Sequence, residues 1–96
     1  MAKIKNNTIN LGSSDTGVIA QGKIWVSGVI LIASSDNPEL VIKDKDGVEH
    51  IRMLTNITNQ RYLAYAPATA FPITRPEITK NDNIERIIIH LSSGRS

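Results

Sequence analysis

The chain of 96 residues contains no cysteine. Disulfide staples, thiolate metal ligands and thiol catalysis are therefore excluded. Small secreted scaffolds of this length usually depend on disulfides, so the chain does not read as one of them. Aromatic residues make up only 4% of it, namely Trp25, Tyr62, Tyr65 and Phe71, and the core is therefore expected to be aliphatic. The longest unbroken apolar run, Val29 to Ala33, is far short of a membrane-spanning helix. Residues 1–11 hold no apolar stretch of signal-peptide length. A membrane partner is not expected. The net charge is only +2, and basic residues are mixed with acids except near the N-terminus, where Lys3 and Lys5 stand alone. Nucleic-acid domains concentrate cations on one face. No such cluster is visible, and a nucleic-acid partner is not expected.

What the chain has in abundance is isoleucine, with threonine and valine adding further β-branching. Branching at Cβ restricts χ1 and suits a pleated strand better than a helix. No ten-residue stretch carries a helical stripe free of Pro, Gly or turn residues. Strands are read at Gly17 to Gln21, Lys23 to Ser34, Glu39 to Lys43, Val48 to Leu54, once within 56–70, at Phe71 to Thr74, at Pro76 to Thr79 and at Glu85 to Leu91. The second is too dense in apolar residues for simple alternation and is expected to be buried on both faces for part of its length. Gly28 within it suggests a bulge or a close backbone approach. Trp25 is expected in the core. Asp44-Lys45-Asp46-Gly47 reads as a hairpin turn in which Gly47 supplies positive φ. Pro72 and Pro76 cannot donate to a ladder, which predicts an edge position for Phe71 to Thr79. Short strands at this spacing predict an all-β fold, a small antiparallel β-sandwich of jelly-roll-like form. Residues 1–16 are expected to form an extended N-terminal arm with room for one short strand. Residues 17–92 form the sandwich, and residues 93–96 a tail.

Candidate chemistry is sparse. Asp44 and Asp46 superficially suggest a calcium loop, but the chain enters a strand directly after Gly47 and lacks the further oxygen ligands such a loop needs. His50 and His90 lie in different strands without metal-ligand spacing and are expected to face solvent. No nucleophile elbow or phosphate loop is present. Catalytic residues, metal ligands and cofactors are therefore not expected. Tyr62 and Tyr65, with Arg61, are the one candidate stacking platform for a sugar or a base. The alternative is that one tyrosine closes the core. For protein binding, the candidates are Lys3, Ile4, Lys5, Ile9 and Leu11 on the arm and Phe71, Ile73 and Arg75 on the proline-flanked edge. An arm and exposed edges are ready means of joining neighbours by strand addition.

Four segments together resemble small virion structural proteins of tailed bacteriophages, including those of cyanophages. They are Ile24-Trp25-Val26-Ser27-Gly28-Val29-Ile30-Leu31, Leu40-Val41-Ile42-Lys43-Asp44-Lys45-Asp46-Gly47, Phe71-Pro72-Ile73 and Ile87-Ile88-Ile89-His90-Leu91. The pattern spans about two-thirds of the chain. The resemblance implies a β-sandwich that decorates or cements a capsid, or serves at the head–tail junction. It implies the major capsid protein or other virion proteins as partners, a homo-oligomer with a trimer favoured, and location in the virion after assembly in the host cytoplasm. It implies no catalytic residues. The alternative is a tail- or head-fibre module binding a host receptor or carbohydrate through Tyr62 and Tyr65. A single-strand nucleic-acid binder of small-barrel type ranks third, because both aromatics and cations are few.

Overall fold

Strands place successive side chains on opposite faces, so an isoleucine-rich chain of this size can bury one face of each strand and leave the other outward. The computed structural model follows this rule. It describes residues 7–13, 15–54 and 61–92, and the backbone of residues 3–5. The described residues contain strands and turns and no helix. The strands are β1 (Lys3–Lys5), β2 (Thr8–Gly12), β3 (Gly17–Val18), β4 (Lys23–Ala33), β5 (Glu39–Lys43), β6 (Glu49–Leu54), β7 (Tyr62–Tyr65), β8 (Phe71–Thr74), β9 (Glu77–Asp82) and β10 (Ile84–Leu91). All pairings are antiparallel. The larger sheet runs β1-β2-β10-β4-β7, and β8 lies beyond the end of β7 on the same side of β4. The smaller sheet runs β3-β9-β5-β6. This is the expected antiparallel β-sandwich.

The two sheets are joined at corners where paired strands bend together from one sheet into the other, a known way of turning a sandwich corner. β4 continues into β5 while its partner β9 continues into β10, with Ala33 opposite Ile84 and Glu39 opposite Asp82. Left-handed backbone makes the bend. Asn37 and Asn83 hold φ of 61° and 59°, a region that asparagine tolerates better than most residues. The Asn83 side chain secures the corner by donating to the carbonyls of Asp36 and Asn37 at 3.1 and 3.2 Å. At a second corner, the Ile19 amide donates to the Pro76 carbonyl and the Arg75 amide to Gly22, both at 2.9 Å.

The core between the sheets is aliphatic, as the scarcity of aromatics predicts. Ile9, Val29, Leu31, Leu40, Ile87 and Ile89 are fully buried, with Ile42, Ile73, Ile78 and Ile84 nearly so. Phe71 packs against its margin. Each fully buried side chain of this kind is worth about 1.5–3 kcal/mol. The radius of gyration of 12.4 Å matches the roughly 12.5 Å expected of one packed body of this length.

Gly47, with φ of 80°, closes the β5–β6 turn as expected. Gly28 adjoins a bulge, because His90 opposes Gly28 while Leu91 opposes Val26. Three expectations need correction. Thr8 to Gly12 are not a free arm: β2 is an internal strand paired on one side with β10 and on the other with β1, and its Ile9 and Leu11 enter the core. The piece after Pro76 is not an edge, because β9 begins at Glu77 and lies between β3 and β5. Pro76 stays in the corner, where no ladder amide is required of it. Finally, Trp25 does not belong to the core cluster. It is half-buried, opposite Pro72 in the ladder. The tail at 93–96 lies outside the described residues.

Candidate protein-binding face

The two sheets present opposite kinds of outer face. On the smaller sheet, pairing places Arg52, Val41 and Lys80 side by side, with Leu54, Glu39 and Asp82 in the next row. Glu39 accepts from Arg52 and Lys80, both at 3.2 Å, which ties three strands together. Arg52 also holds Glu49 at 3.0 Å. The Arg52 hydrogen bond pulls the Glu49 carboxyl below the usual carboxylate range, and Glu49 in turn raises the guanidinium. This is a charged, internally paired face suited to water.

The outer face of the larger sheet is different. Residues paired across strands share a face. One row reads Tyr62, Ile32, Arg86, Gly12, and the next Ala64, Ile30, Ile88, Asn10. A third reads Gly28, His90, Thr8. Ile30, Ile32 and Ile88 are half-buried by their neighbours in the sheet, yet none belongs to the core cluster. Tyr62 is 67% exposed. Trp25 continues the surface along β4, with the Lys23 ammonium 5.9 Å from its ring centre. The dense apolar run of β4 is thus explained. Val29, Leu31 and Ala33 fill the core, while Ile30 and Ile32 build an outer apolar platform. At one end of that platform Gly12 has no side chain beside Arg86. A depression of about 330 Å³ opens there, lined by Asn10, Leu11, Gly12 and Arg86.

The residues singled out from the sequence fall in several places. Ile9, Leu11 and Ile73 are 0%, 3% and 1% exposed, so their side chains are core and cannot meet a partner. Phe71 is half-buried and packs edge-on to Tyr65, with ring centres 6.1 Å apart. Arg75 is exposed at its corner with φ of 50°. The β1 register sets Lys3 opposite Asn10, Ile4 opposite Ile9 and Lys5 opposite Thr8. Their side chains lie outside the described residues. Tyr62 and Tyr65 do not form one platform. Tyr62 pairs with Ile32 on the outer face and Tyr65 with Val29 on the inner face, as the period of two requires three residues apart.

A second groove, about 230 Å³, runs between the edges of β6 and β7 and is lined by His50, Ile51, Arg52, Met53 and Tyr65. Beside it lies a pair that sequence spacing did not suggest. His50 Nε2 sits 2.9 Å from Asp44 Oδ2, brought there by the hairpin. The other carboxylate oxygen of Asp44 accepts from the Asp46 and Val48 amides at 2.9 and 3.0 Å. The bond to His50, then those amides, hold the Asp44 carboxyl below its ordinary range. Both of its oxygens are occupied in shaping the turn, and Asp46 is bonded to Lys45. Among the described residues, no group of three His, Asp or Glu side chains converges to hold a metal ion. His90 stands apart on the larger sheet, opposite Gly28. No protein-family model, curated protein or solved structure matches the chain.

Proposed function

We propose that this chain is a non-enzymatic structural protein of a tailed-phage virion, most naturally a capsid decoration or cement protein. In this reading it attaches to other virion proteins through the outer face of its larger sheet. One observation carries the binding reading: a platform of Ile30, Ile32, Ile88 and Trp25 beside a 67%-exposed Tyr62 lies outside the core cluster. Apolar side chains left on an outer sheet face in this way are the kind of surface that marks interaction sites on soluble proteins. Its aromatic and arginine content matches the residue types that dominate interface energies. The virion setting comes from the resemblance of the four sequence segments. A carbohydrate platform is disfavoured, because Tyr62 and Tyr65 face opposite sides of the sheet. Self-assembly, if it accompanies attachment, would use the unpaired strand edges.

The test is co-sedimentation of the chain with phage particles from the lysed host, detected immunologically. The chain is expected in the particle band, and Ile30→Lys is expected to move it to the free fraction while leaving its circular dichroism unchanged. Wild-type chain found only in the free fraction overturns the virion reading.

A further inference from the structure

The β5–β6 turn contains a peptide linkage found nowhere else in the chain. Asp46–Gly47 is the one place where an aspartate or asparagine is followed by glycine. Glycine has no Cβ to crowd the approach of its amide nitrogen to the preceding side-chain carboxyl. The other aspartates, Asp15, Asp36, Asp44 and Asp82, precede Thr16, Asn37, Lys45 and Asn83, each of which carries a Cβ. The Asp46 side chain is 66% exposed, with the Lys45 ammonium 3.1 and 3.3 Å from its two oxygens. A Cβ built on Gly47 meets nothing within 4 Å, so no neighbour crowds a rearrangement there. Against this openness stands a clamp. The Gly47 amide donates to the Asp44 carbonyl at 3.0 Å, and Asp44 Oδ1 accepts from the Asp46 and Val48 amides at 2.9 and 3.0 Å. His50 Nε2, 2.9 Å from Asp44 Oδ2, holds that carboxylate in place.

We propose that Asp46 is a site of spontaneous backbone modification, converting to isoaspartate through attack of the Gly47 amide nitrogen on its side-chain carboxyl, and that Asp44 sets the rate by holding that nitrogen. In the first step a bond forms between the Gly47 nitrogen and Asp46 Cγ. The bond from Cγ to one carboxyl oxygen breaks, and that oxygen leaves as water with its own proton and the amide proton. The product is a five-membered succinimide. Water then opens the ring. Attack at Cγ restores aspartate, whereas attack at the main-chain carbonyl carbon of Asp46 leaves the backbone running through Cβ and Cγ. Water is the only other reactant. Ring closure consumes the Gly47 N–H and with it the bond to Asp44, so the reaction proceeds through local openings of the turn. The rearranged chain has one more main-chain carbon between Asp46 and Gly47. It cannot keep both the Gly47 bond to Asp44 and the 2.9 Å bond from the Asp44 amide to the Val48 carbonyl, and the turn loosens.

The experiment ages the full chain in warm buffer. Samples are digested and fragmented by electron transfer, which distinguishes isoaspartate from aspartate at each position. Isoaspartate is expected to accumulate at Asp46 ahead of Asp15, Asp36, Asp44 and Asp82. Asp44→Ala is expected to raise the rate at Asp46 by roughly fivefold, the scale of one net hydrogen bond. Gly47→Asn, which keeps the left-handed turn but restores a Cβ, should slow it. Circular dichroism checks that each variant is folded. In denaturing urea, wild type and Asp44→Ala are expected to react at the same rate, because no turn remains to hold the nitrogen.

Isoaspartate that appears at any other aspartate as early as at Asp46, or none at Asp46, overturns the proposal. So do equal rates for folded wild type and folded Asp44→Ala, or an excess in Asp44→Ala that persists unchanged in urea. Should Asp44→Ala fail to fold, His50→Ala takes its place, since it removes only the bond to the far oxygen of Asp44. A rate between those of folded and urea-treated wild type is then expected, and a rate equal to folded wild type overturns the clamp. The isoaspartate form, separated from the fresh chain, is expected to melt at a lower temperature. Failure to find the chain on phage particles would remove the virion setting and leave these readouts intact.

Discussion

Gly47 sits at φ of 80° in the β5–β6 turn, and a Cβ built there meets nothing within 4 Å. The space is open, so the requirement for glycine is conformational. Gly47→Val is therefore expected to destabilise the domain by about 1–2 kcal/mol, while Gly47→Asn, which tolerates the left-handed region, loses less. Chemical denaturation of the two variants checks the order. The same turn carries a pH dependence through Asp44. Its carboxyl titrates below the ordinary range, chiefly because of the His50 bond. A depressed folded pKa means stability that is fully present above the unfolded value, near 3.9, and is lost as pH falls through the folded one. Melting temperature is thus expected to fall between about pH 4 and pH 2, and less steeply in Asp44→Asn. Part of the slope persists in that variant, since Asp15 and Glu49 are also depressed, by the Gly12 amide and by Arg52 respectively. An acid melting series in which Asp44→Asn tracks wild type would refute the role given to Asp44. Asn81 acts in a third way. Its side-chain amide, in the core end of β9, donates to the carbonyls of Gly12 and Asp15 at 3.2 and 2.9 Å. It thereby anchors the link from β2 to β3. Its own Oδ1 is buried without a partner among the described residues. Asn81→Leu is expected to lose about 1–3 kcal/mol, because two carbonyls lose their donor.

Among the elements, β2 is the one whose standing differs most from its sequence character. It is short and polar in composition, yet it pairs with β10 from Gly12 opposite Arg86 to Thr8 opposite His90. Two of its five residues are in the core. Deleting residues 1–12 removes that strand and exposes the flank of β10, including Ile87 and Ile89. The truncated chain is therefore expected to be unfolded or to melt far below wild type. Ile9→Ala alone should lose about 2–4 kcal/mol, typical of a large-to-small change in a packed core. A truncated chain with a wild-type melting curve would show that β2 contributes no stability. β8 makes the opposite point. Pro72 is tolerated because β8 pairs only with β4, so its missing donor falls on the open side of the sheet.

The whole molecule is a sandwich with two unlike outer faces. The smaller sheet is covered by Arg52, Lys80, Glu39 and Glu49 in mutual ion pairs. Exposed pairs of this kind add little stability, typically under 1 kcal/mol each, but keep that face wet. The larger sheet offers isoleucine, tryptophan and an Arg86 that has no ion-pair partner among the described residues. On the proposed reading, such asymmetry would orient the protein on a larger surface, with one side bound and the other toward solvent. Far-ultraviolet circular dichroism is expected to be dominated by β-sheet, with helix below about one-tenth of residues against the usual third. A spectrum with substantial helix would contradict the fold.

Taken by itself, the sequence was sufficient for the all-β class, the aliphatic core, the β5–β6 hairpin with Gly47 and most strand limits, with Glu39 to Lys43 matched at both ends. These depend on local causes: branching at Cβ, turn residues, and glycine at positive φ. Tertiary structure alone decided what depends on pairing between distant segments. It made β2 an internal strand, put β9 inside its sheet and separated Tyr62 from Tyr65. It also joined Asp44 to His50 and turned Trp25 away from the core cluster. The candidate face belongs to this second group. The isoleucines of β4 and β10 were visible as apolar runs, but alternation cannot say which half of a run meets the core until a second sheet covers one side. Register between strands then assembled Ile30, Ile88, Tyr62 and Arg86 into one surface, although they lie as far apart in the chain as residues 30 and 88.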